Sequence, residues 1–424
     1  MIKKPRGTND ILPDSVYKWQ YLEKTVRETA DNFGFKEIRF PTFEATELFL
    51  RGVGDTTDIV QKEMYTFEDK EGRSFTLRPE GTASTVRALV ENGLYGGTMP
   101  LKYYYVTNCF RYEKPQAGRS REFTQFGVEV FGADSPVCDA QIIYLASTVF
   151  KKLGINGIKL YINSIGCPEC RKNYHKALRE YFESKKEELC DTCKGRLETN
   201  PMRILDCKSP ICKQIAGPAP KTIDYLCDEC KTHFESLKSN LEAMSVEYTV
   251  DPTIVRGLDY YTKTVFEFVY EGIGAQATVC GGGRYDGLCE MLDGPKLSGI
   301  GFGMGMSRLL LALETENAPV PEQKHPDLYV ATLGEKAMIY AMKLFSELQL
   351  SGVAVEIDTV GRSMKAQMKY ADKIGADYVL VIGENEVEQN ESTLKNMKGG
   401  ESVTLKLSNA CEEIVKIIGG DING

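Results

Sequence analysis

The chain has 424 residues and carries 60 acidic against 52 basic side chains, a net charge of −8. That length suits two or three domains, and the acidic balance argues against a generally basic nucleic-acid binder, although local Lys and Arg can still hold phosphates. No uninterrupted apolar run reaches membrane-spanning length, and the opening MIKKPRGTNDILPD is basic but lacks an apolar signal-peptide core, so the cytoplasm is the expected setting.

Behind Pro13 and Asp14, residues Ser15 to Phe33 predict an amphipathic helix that stops at Gly34. Phe35 to Phe40 predict a strand ending at Pro41. Ser74 to Leu77 alternate as a strand and lead into TLRPEGTAS, where Glu80, Gly81 and Thr82 open a helix to about Asn92. A carboxylate and a hydroxyl at such a turn can cap the helix or hold an ammonium group.

From Tyr103 to Gly132 two alternating segments flank the loop KPQAGRS, which predicts a hairpin. Strand side chains alternate faces, so Gln125, Gly127 and Glu129 share one face while Phe126, Val128 and Val130 share the other. Arg111 and Glu113 are expected together on the first strand. The front then offers an amide, a carboxylate and a guanidinium, with Gly127 leaving room for a ligand. The alternative is a sheet face in water with solvated charges.

Residues from about 165 to 247 are polar, helical in pattern and rich in cysteine. Cys167 and Cys170, Cys190 and Cys193, and Cys227 and Cys230 form C-x-x-C pairs, joined by Cys207 and Cys212. Such pairs signal zinc, with free buried thiols as the alternative, and disulfides are not expected in a reducing cytoplasm.

Arg256-Gly257-Leu258-Asp259-Tyr260-Tyr261 precedes an alternating strand from Thr262 to Tyr270. The tyrosines either line a pocket or pack at a strand edge. GGGRYDGL follows, from Gly281 to Leu288. In SGIGFGMGMSRLLLAL, from Ser298, glycines 299, 301, 303 and 305 alternate with Ile300, Phe302, Met304 and Met306. Glycine weakens a strand, so this pattern needs a reason. A backbone floor for a planar ring is one, and packing against another element is the other. Ser307 is expected to cap a helix carrying Arg308, whose cation could stack on an adenine. No P-loop sequence occurs.

Asn317 to Pro326 read as a linker. Beyond it, strands at Asp327 to Leu333, Val353 to Asp358 and Tyr378 to Ile382 alternate with helices at Lys336 to Gln349 and Ser363 to Ile374. A hairpin around Lys398-Gly399-Gly400 and a helix from Asn409 close a small α/β domain. His175, His233 and His325 fall in none of these motifs and are assigned to surface or packing.

Together, FRYEKPQAGRSREFTQFGVEVFG and the glycine strand resemble motifs 2 and 3 of the class II aminoacyl-tRNA synthetases. The hairpin is similar to the histidyl-tRNA synthetase form. RGLDYYTKTVFEF resembles that family's histidine-specific signature, and RGTNDILP, TLRPEGTAS and GGGRYDGL agree with it. The resemblance spans essentially the whole chain. It implies an antiparallel-sheet class II catalytic domain over 1–325 with a helical insertion at about 165–247, and an α/β anticodon-binding domain over 326–424, an α+β and α/β multidomain chain.

The resemblance also implies roles. Arg111, Arg256 and Arg308 would be catalytic. Glu80, Gly81, Thr82, Arg111, Gln125, Glu129, Arg256, Tyr260 and Tyr261 would bind histidine, with Glu80 and Thr82 on its amino group. Arg111, Glu113, Gly303, Gly305 and Arg308 would bind ATP, accompanied by Mg2+. The first helix and strand would build a homodimer, and the loop Lys114 to Ser120 would approach the acceptor end of tRNA(His). Zinc is not required by the resemblance, so free thiols are preferred in the insertion. Thr124, Lys114 and Ser307 depart from the family pattern of His, Arg and Glu. The implied activity is histidine–tRNA ligase. The rivals are a synthetase-like regulatory subunit of histidine biosynthesis, which would typically lack RGLDYY and the last domain, and an RNA-binding scaffold, which does not explain the glycine strand.

Overall fold

The computed structural model describes all residues except 55, 56, 206, 208, 255, 423 and 424. The chain forms two compact units, Met1–Pro321 and Glu322–Gly424. The first begins with helix α1 (Pro13–Asn32), strands β1 (Lys36–Glu37) and β2 (Phe43–Ala45), helix α2 (Thr46–Val53), and strands β3 (Tyr65–Glu68) and β4 (Ser74–Leu77). Helix α3 (Thr82–Glu91), the long hairpin β5 (Leu101–Phe110) and β6 (Glu122–Phe131), helix α4 (Pro136–Lys152) and strand β7 (Lys159–Ser164) follow.

The insertion is helical: α5 (Pro168–Glu183), α6 (Asp191–Thr199), α7 (Met202–Leu205), α8 (Pro210–Ala216) and α9 (Asp228–Ala243). The chain then returns through β8 (Thr249–Val250), β9 (Thr262–Val269), β10 (Thr278–Arg284), α10 (Leu288–Met291), β11 (Gly299–Gly305) and α11 (Met306–Thr315). Strands from both sides of the insertion share one eight-stranded sheet, ordered β1-β5-β6-β11-β10-β9-β7-β8. Its central pairs, from β5 to β7, are antiparallel.

Alternation gives this sheet two different faces. On the back, Phe126, Val128, Val130, Ile300, Phe302 and Met304 bury against Leu22 and Val26 of α1, Ile143 and Ala146 of α4, Leu237 and Leu241 of α9, and Leu309 of α11. Burying such side chains contributes about 1.5–3 kcal/mol each. The front therefore stays free for polar work. A smaller cluster of Phe49, Val86, Leu89, Tyr260, Tyr261 and Tyr285 closes its rim against α2 and α3. On α4, buried Asp139 accepts hydrogen bonds from Arg284 Nε (2.8 Å) and Thr264 Oγ1 (2.6 Å) and meets His233 Nε2 at 2.8 Å, joining α4 to α9, β9 and β10. His233 is thus a packing histidine.

In the second unit, β12 (Leu328–Leu333), α12 (Glu335–Leu350), β13 (Val355–Ile357), α13 (Met364–Lys373), β14 (Tyr378–Gly383), α14 (Glu384–Gln389), β15 (Glu391–Asn396), β16 (Ser402–Lys406) and α15 (Ala410–Ile422) follow one another. The sheet order is β13-β12-β14-β15-β16. The helix α14 is an addition to the expected elements. Glu386 reaches back to the backbone N–H of Gly383 and starts it.

Three expectations need correction. The strand at Phe35 to Phe40 shrinks to β1, because it lies at the sheet edge, pairs only with β5, and runs into Pro41. Arg111 and Glu113 lie beyond the first hairpin strand, which ends at Phe110. The backbone turns away there, and the Tyr112 N–H donates to Glu63 O at 2.7 Å. Helix α11 starts at Met306 with Gly305 at its N-cap, so Ser307 lies inside the first turn and caps nothing.

Candidate active site

Three separate segments bring cations to the front of the sheet. Arg111 leaves the end of β5 and is held by Pro79 O, which accepts from its Nε at 2.8 Å. Arg308 projects from the first turn of α11 and donates to Gly118 O at 3.1 Å and Thr278 O at 2.6 Å. Arg256 precedes β9 and pairs closely with Glu267. All three line one cavity of about 880 Å³, counting its open mouth. Glu80, Thr82, Glu113, Gln125, Tyr260, Tyr261, Gly303 and Gly305 line the same space. A pocket of this size with a few convergent polar groups suits a small-molecule site.

Electrostatics divide the cavity. Burial, with Arg119 and Arg111 nearby, pulls the Arg308 pKa down to about 10. These like charges repel one another in the unliganded chain, and a polyanion would relieve that repulsion. Arg256 also loses hydration, but Glu267 and the tyrosine hydroxyls leave its pKa raised. Its buried Nε has no hydrogen-bond partner among the described residues. On the opposite wall, burial holds the Glu80 carboxyl above its usual range, although the backbone N–H groups of Thr82 (2.8 Å) and Ala83 (2.7 Å) donate to it. Glu80 thus caps α3 and lines the cavity at once.

Two expected site residues stand apart from the cavity. Glu129 is fully buried behind it. Its carboxyl accepts from Thr82 Oγ1 at 2.7 Å, from Tyr105 Oη at 3.1 Å, and closely from Tyr285 Oη. Burial dominates the electrostatics and pushes its pKa up to about 8. Gly81 faces the Tyr105 ring, which lies where its Cβ would be. The same ring occupies the space over Gly127, which therefore makes room for Tyr105 and leaves none for a ligand.

The glycine strand is also less bare than expected. Side chains from neighbouring segments lie across it: Tyr285 over Gly299, Glu129 over Gly301 and Gln125 over Gly303. Only at Gly305, where Arg308 is 3.9 Å from the position of a Cβ, does the backbone stay open. Any planar ring is thus confined to the end near Gly305 and Arg308.

Several cavity residues were not singled out in the sequence. Arg119 pairs closely with Glu113, and the position of a Cβ on Gly281 is taken by the Arg256 guanidinium. The triple glycine at 281 was the available signal for such a close approach. Tyr105, buried behind the cavity, sits directly opposite Gly127, a pairing that only the register of the folded hairpin shows. His175, expected at the surface or in packing, lines a second cavity with Arg256, Asp259 and Tyr261. The insertion cysteines gather into two groups of four, Cys167, Cys170, Cys227 and Cys230, and Cys190, Cys193, Cys207 and Cys212.

An antiparallel sheet with arginines from a hairpin loop and from a glycine-strand helix defines a class II aminoacyl-tRNA synthetase catalytic domain. Residues 7–309 match the family model for histidyl-tRNA synthetase, and 327–417 match the anticodon binding domain. A histidine–tRNA ligase of Caldanaerobacter subterraneus subsp. tengcongensis is 55% identical over 418 residues, covering 99% of each chain. One from Acetivibrio thermocellus is 54% identical over 96% of this chain and 98% of its own. The crystal structure of apo Staphylococcus aureus histidyl-tRNA synthetase superposes with a TM-score of 0.85 at 42% identity, covering 98% of this chain and 100% of the other. The chain belongs to the histidyl-tRNA synthetase family.

Proposed function

We propose that this chain activates L-histidine with ATP and transfers the histidyl group to the 3′ end of tRNA(His). The observation that carries the proposal is the convergence of Arg111, Arg256 and Arg308 on the cavity that also exposes Glu80, Thr82 and the tyrosine pair. A histidine carboxylate oxygen attacks the α-phosphorus of ATP. The bond from that phosphorus to the bridging oxygen breaks, and pyrophosphate leaves with the electron pair. Arg111 and Arg256 stabilise the charge that builds at phosphorus, while Arg308 receives the pyrophosphate end. A ribose hydroxyl of the terminal adenosine then attacks the acyl carbon, and AMP departs.

Histidine recognition rests on the opposite wall. Glu80 and Thr82 take the ammonium group, and Gln125, Tyr260 and Tyr261 flank the imidazole, with Glu129 behind Thr82. Neutral imidazole offers one donor and one acceptor, so buried partners of both kinds reject apolar isosteres. Glu113 lines the same cavity with both carboxylate oxygens on Arg119, so the magnesium ion would arrive on the ATP phosphates. Bound magnesium would neutralise phosphate charge.

The second unit is proposed to hold the anticodon arm, and the loop at Lys114 to Ser120 to face the acceptor end. A homodimer and a cytoplasmic setting follow the family. Among the described residues no helix is long and apolar enough to cross a membrane. The full-length match to ligases, last domain included, favours the ligase over a regulatory subunit of histidine biosynthesis.

The test is pyrophosphate–ATP exchange across the twenty amino acids without tRNA. Exchange with histidine alone, lost in Arg256→Ala, is expected. Absence of exchange with every amino acid would overturn the ligase.

A further inference from the structure

Eight cysteines of the insertion are unused by the proposed chemistry, since aminoacyl transfer needs no protein nucleophile. C-x-x-C spacing alone does not say which pairs belong together. The fold joins the first pair to the last, Cys167 and Cys170 to Cys227 and Cys230, and gathers Cys190 and Cys193 with Cys207 and Cys212. In each group the four sulfurs lie within 4.8 Å of one another. We propose that each group holds one structural zinc ion as a tetrathiolate, and that the second ion fixes the segment bracing the Asp259 loop beside the active cavity.

The distances fit a tetrahedron. Zinc–sulfur bonds of ~2.3 Å place tetrahedral sulfurs ~3.8 Å apart. Cys167 and Cys170 are 3.6 Å apart, Cys167 and Cys227 4.0 Å, and Cys190 and Cys207 3.9 Å. A disulfide would need about 2.05 Å, and all these cysteines are free. The local geometry repeats. Cys167, Cys190 and Cys227 stand at the N-caps of α5, α6 and α9, and Cys170, Cys193 and Cys230 lie in the first turns. Backbone N–H groups point at sulfur: Cys227 N–H donates to Cys170 Sγ at 3.1 Å and Cys190 N–H to Cys212 Sγ at 3.3 Å. Such donors favour the thiolate over the thiol. Four soft thiolates with no histidine or carboxylate among them select zinc over hard cations. On binding, each thiol gives its proton to solvent and each sulfur gives an electron pair to the ion.

The insertion has reason to need such ions. Helices α6, α7 and α8 contain 9, 4 and 7 residues, too short to stand alone in water. The second group ties α6 to α8 and to the turn between α7 and α8. The first group ties the entry of the insertion to the start of its last helix. From α6 to α7 the chain reaches the catalytic body. Arg196 meets Asp58 at 3.4 Å, Arg203 donates to Asp259 at 2.8 Å and to Gly257 O at 3.0 Å, and Asn200 donates to Asp259 at 3.4 Å. Those contacts flank Leu258, between Arg256 and Tyr260. Loosening the second group therefore reaches the histidine site through the Asp259 loop.

The experiment is metal analysis of the full chain purified without chelator, with thiol titration before and after a mercurial displaces bound metal. Two zinc ions per chain are expected, with eight thiols becoming reactive only on displacement. Cys227→Ser and Cys190→Ser should each leave one zinc, and Cys411→Ser should leave both. Cys190→Ser should also raise the KM for histidine several-fold in the exchange assay. Should either variant fail to fold, cobalt(II)-substituted wild type is read instead, and the intense visible bands of tetrahedral cobalt thiolate are expected. A metal-free chain with all 13 thiols reactive, disulfides by mass, or iron in place of zinc overturns the proposal. Metal content is independent of activity, so failure of the ligase reading would leave this count standing.

Discussion

The Thr82 hydroxyl donates to the Glu129 carboxyl at 2.7 Å, so a residue at the cavity surface is tied to an acid fully buried behind it. Burial raises that acid from 4.5 to about 8. A raised acid stabilises the fold most below its unfolded pKa, and the contribution is lost as pH climbs through the folded value. Wild type should therefore lose stability between pH 4.5 and 8, on the order of 5 kcal/mol in all. Glu129→Gln should lack this loss, and denaturant melts across that range check it. The variant should also raise the KM for histidine several-fold, because Thr82, which lines the cavity, loses a carboxylate partner. In wild type, kcat/KM for histidine should rise with pH through about 8, as ionised Glu129 draws the Thr82 hydroxyl proton and turns its lone pairs to the ammonium group, and this limb should be missing in Glu129→Gln.

Arg308 donates to two backbone carbonyls and sits near Arg111 and Arg119, whose charges help burial lower its pKa to about 10. An incoming triphosphate removes that repulsion. Arg308→Gln should raise the KM for ATP about 10- to 100-fold with little change in the KM for histidine. Exchange kinetics with each substrate varied in turn separate the two, and an equal rise in both would refute the assignment.

Close packing makes a different prediction at Gly127. A Cβ there would fall on the Tyr105 ring, which also hydrogen-bonds Glu129. Gly127→Ala should cost about 1–3 kcal/mol through overpacking and should disturb histidine binding through Tyr105. Thermal melts and the KM for histidine are the measurements. If the space over Gly127 served a ligand, stability would hold and only binding would fall.

The contrast between Gly127 and Arg256 shows how far the sequence could be read. Alternation placed Phe126, Val128 and Val130 on the apolar back, and the structure buries all three. Periodicity reports which face a residue takes; Arg111 and Arg308 came from segments that it located, Arg256 came from the resemblance, and Arg119 was not singled out. Periodicity does not report what stands across the strand, because that depends on a register seen only in the fold. Tyr105 over Gly127, Gln125 over Gly303 and Arg256 over Gly281 depend on register and on long-range pairing. Nothing in the sequence marks Asp139, because its partners Thr264 and Arg284 lie more than a hundred residues away. The sorting of the insertion cysteines was hidden for the same reason, since 60 residues separate Cys167 from Cys227.

Asp139 carries the last prediction. Burial alone would raise its pKa, but His233 and Arg284 hold it below the usual carboxylate range. Removing one partner of a buried ion pair leaves the other charge uncompensated, at a cost of about 3–5 kcal/mol. Asp139→Asn should therefore destabilise the chain by that amount near neutral pH, because Arg284 is fully buried and keeps its charge. A depressed acid stabilises above its unfolded pKa and loses that contribution as pH falls through the folded value, so the difference between wild type and Asp139→Asn should shrink at acid pH. Arg284 is also followed directly by Tyr285, whose hydroxyl meets Glu129. A shift of Arg284 thus moves a partner of the histidine pocket, and the KM for histidine should rise while the KM for ATP stays near wild type. Denaturant melts at two pH values with exchange kinetics check both parts. Unchanged stability would mean that Arg284 finds another partner on unpairing.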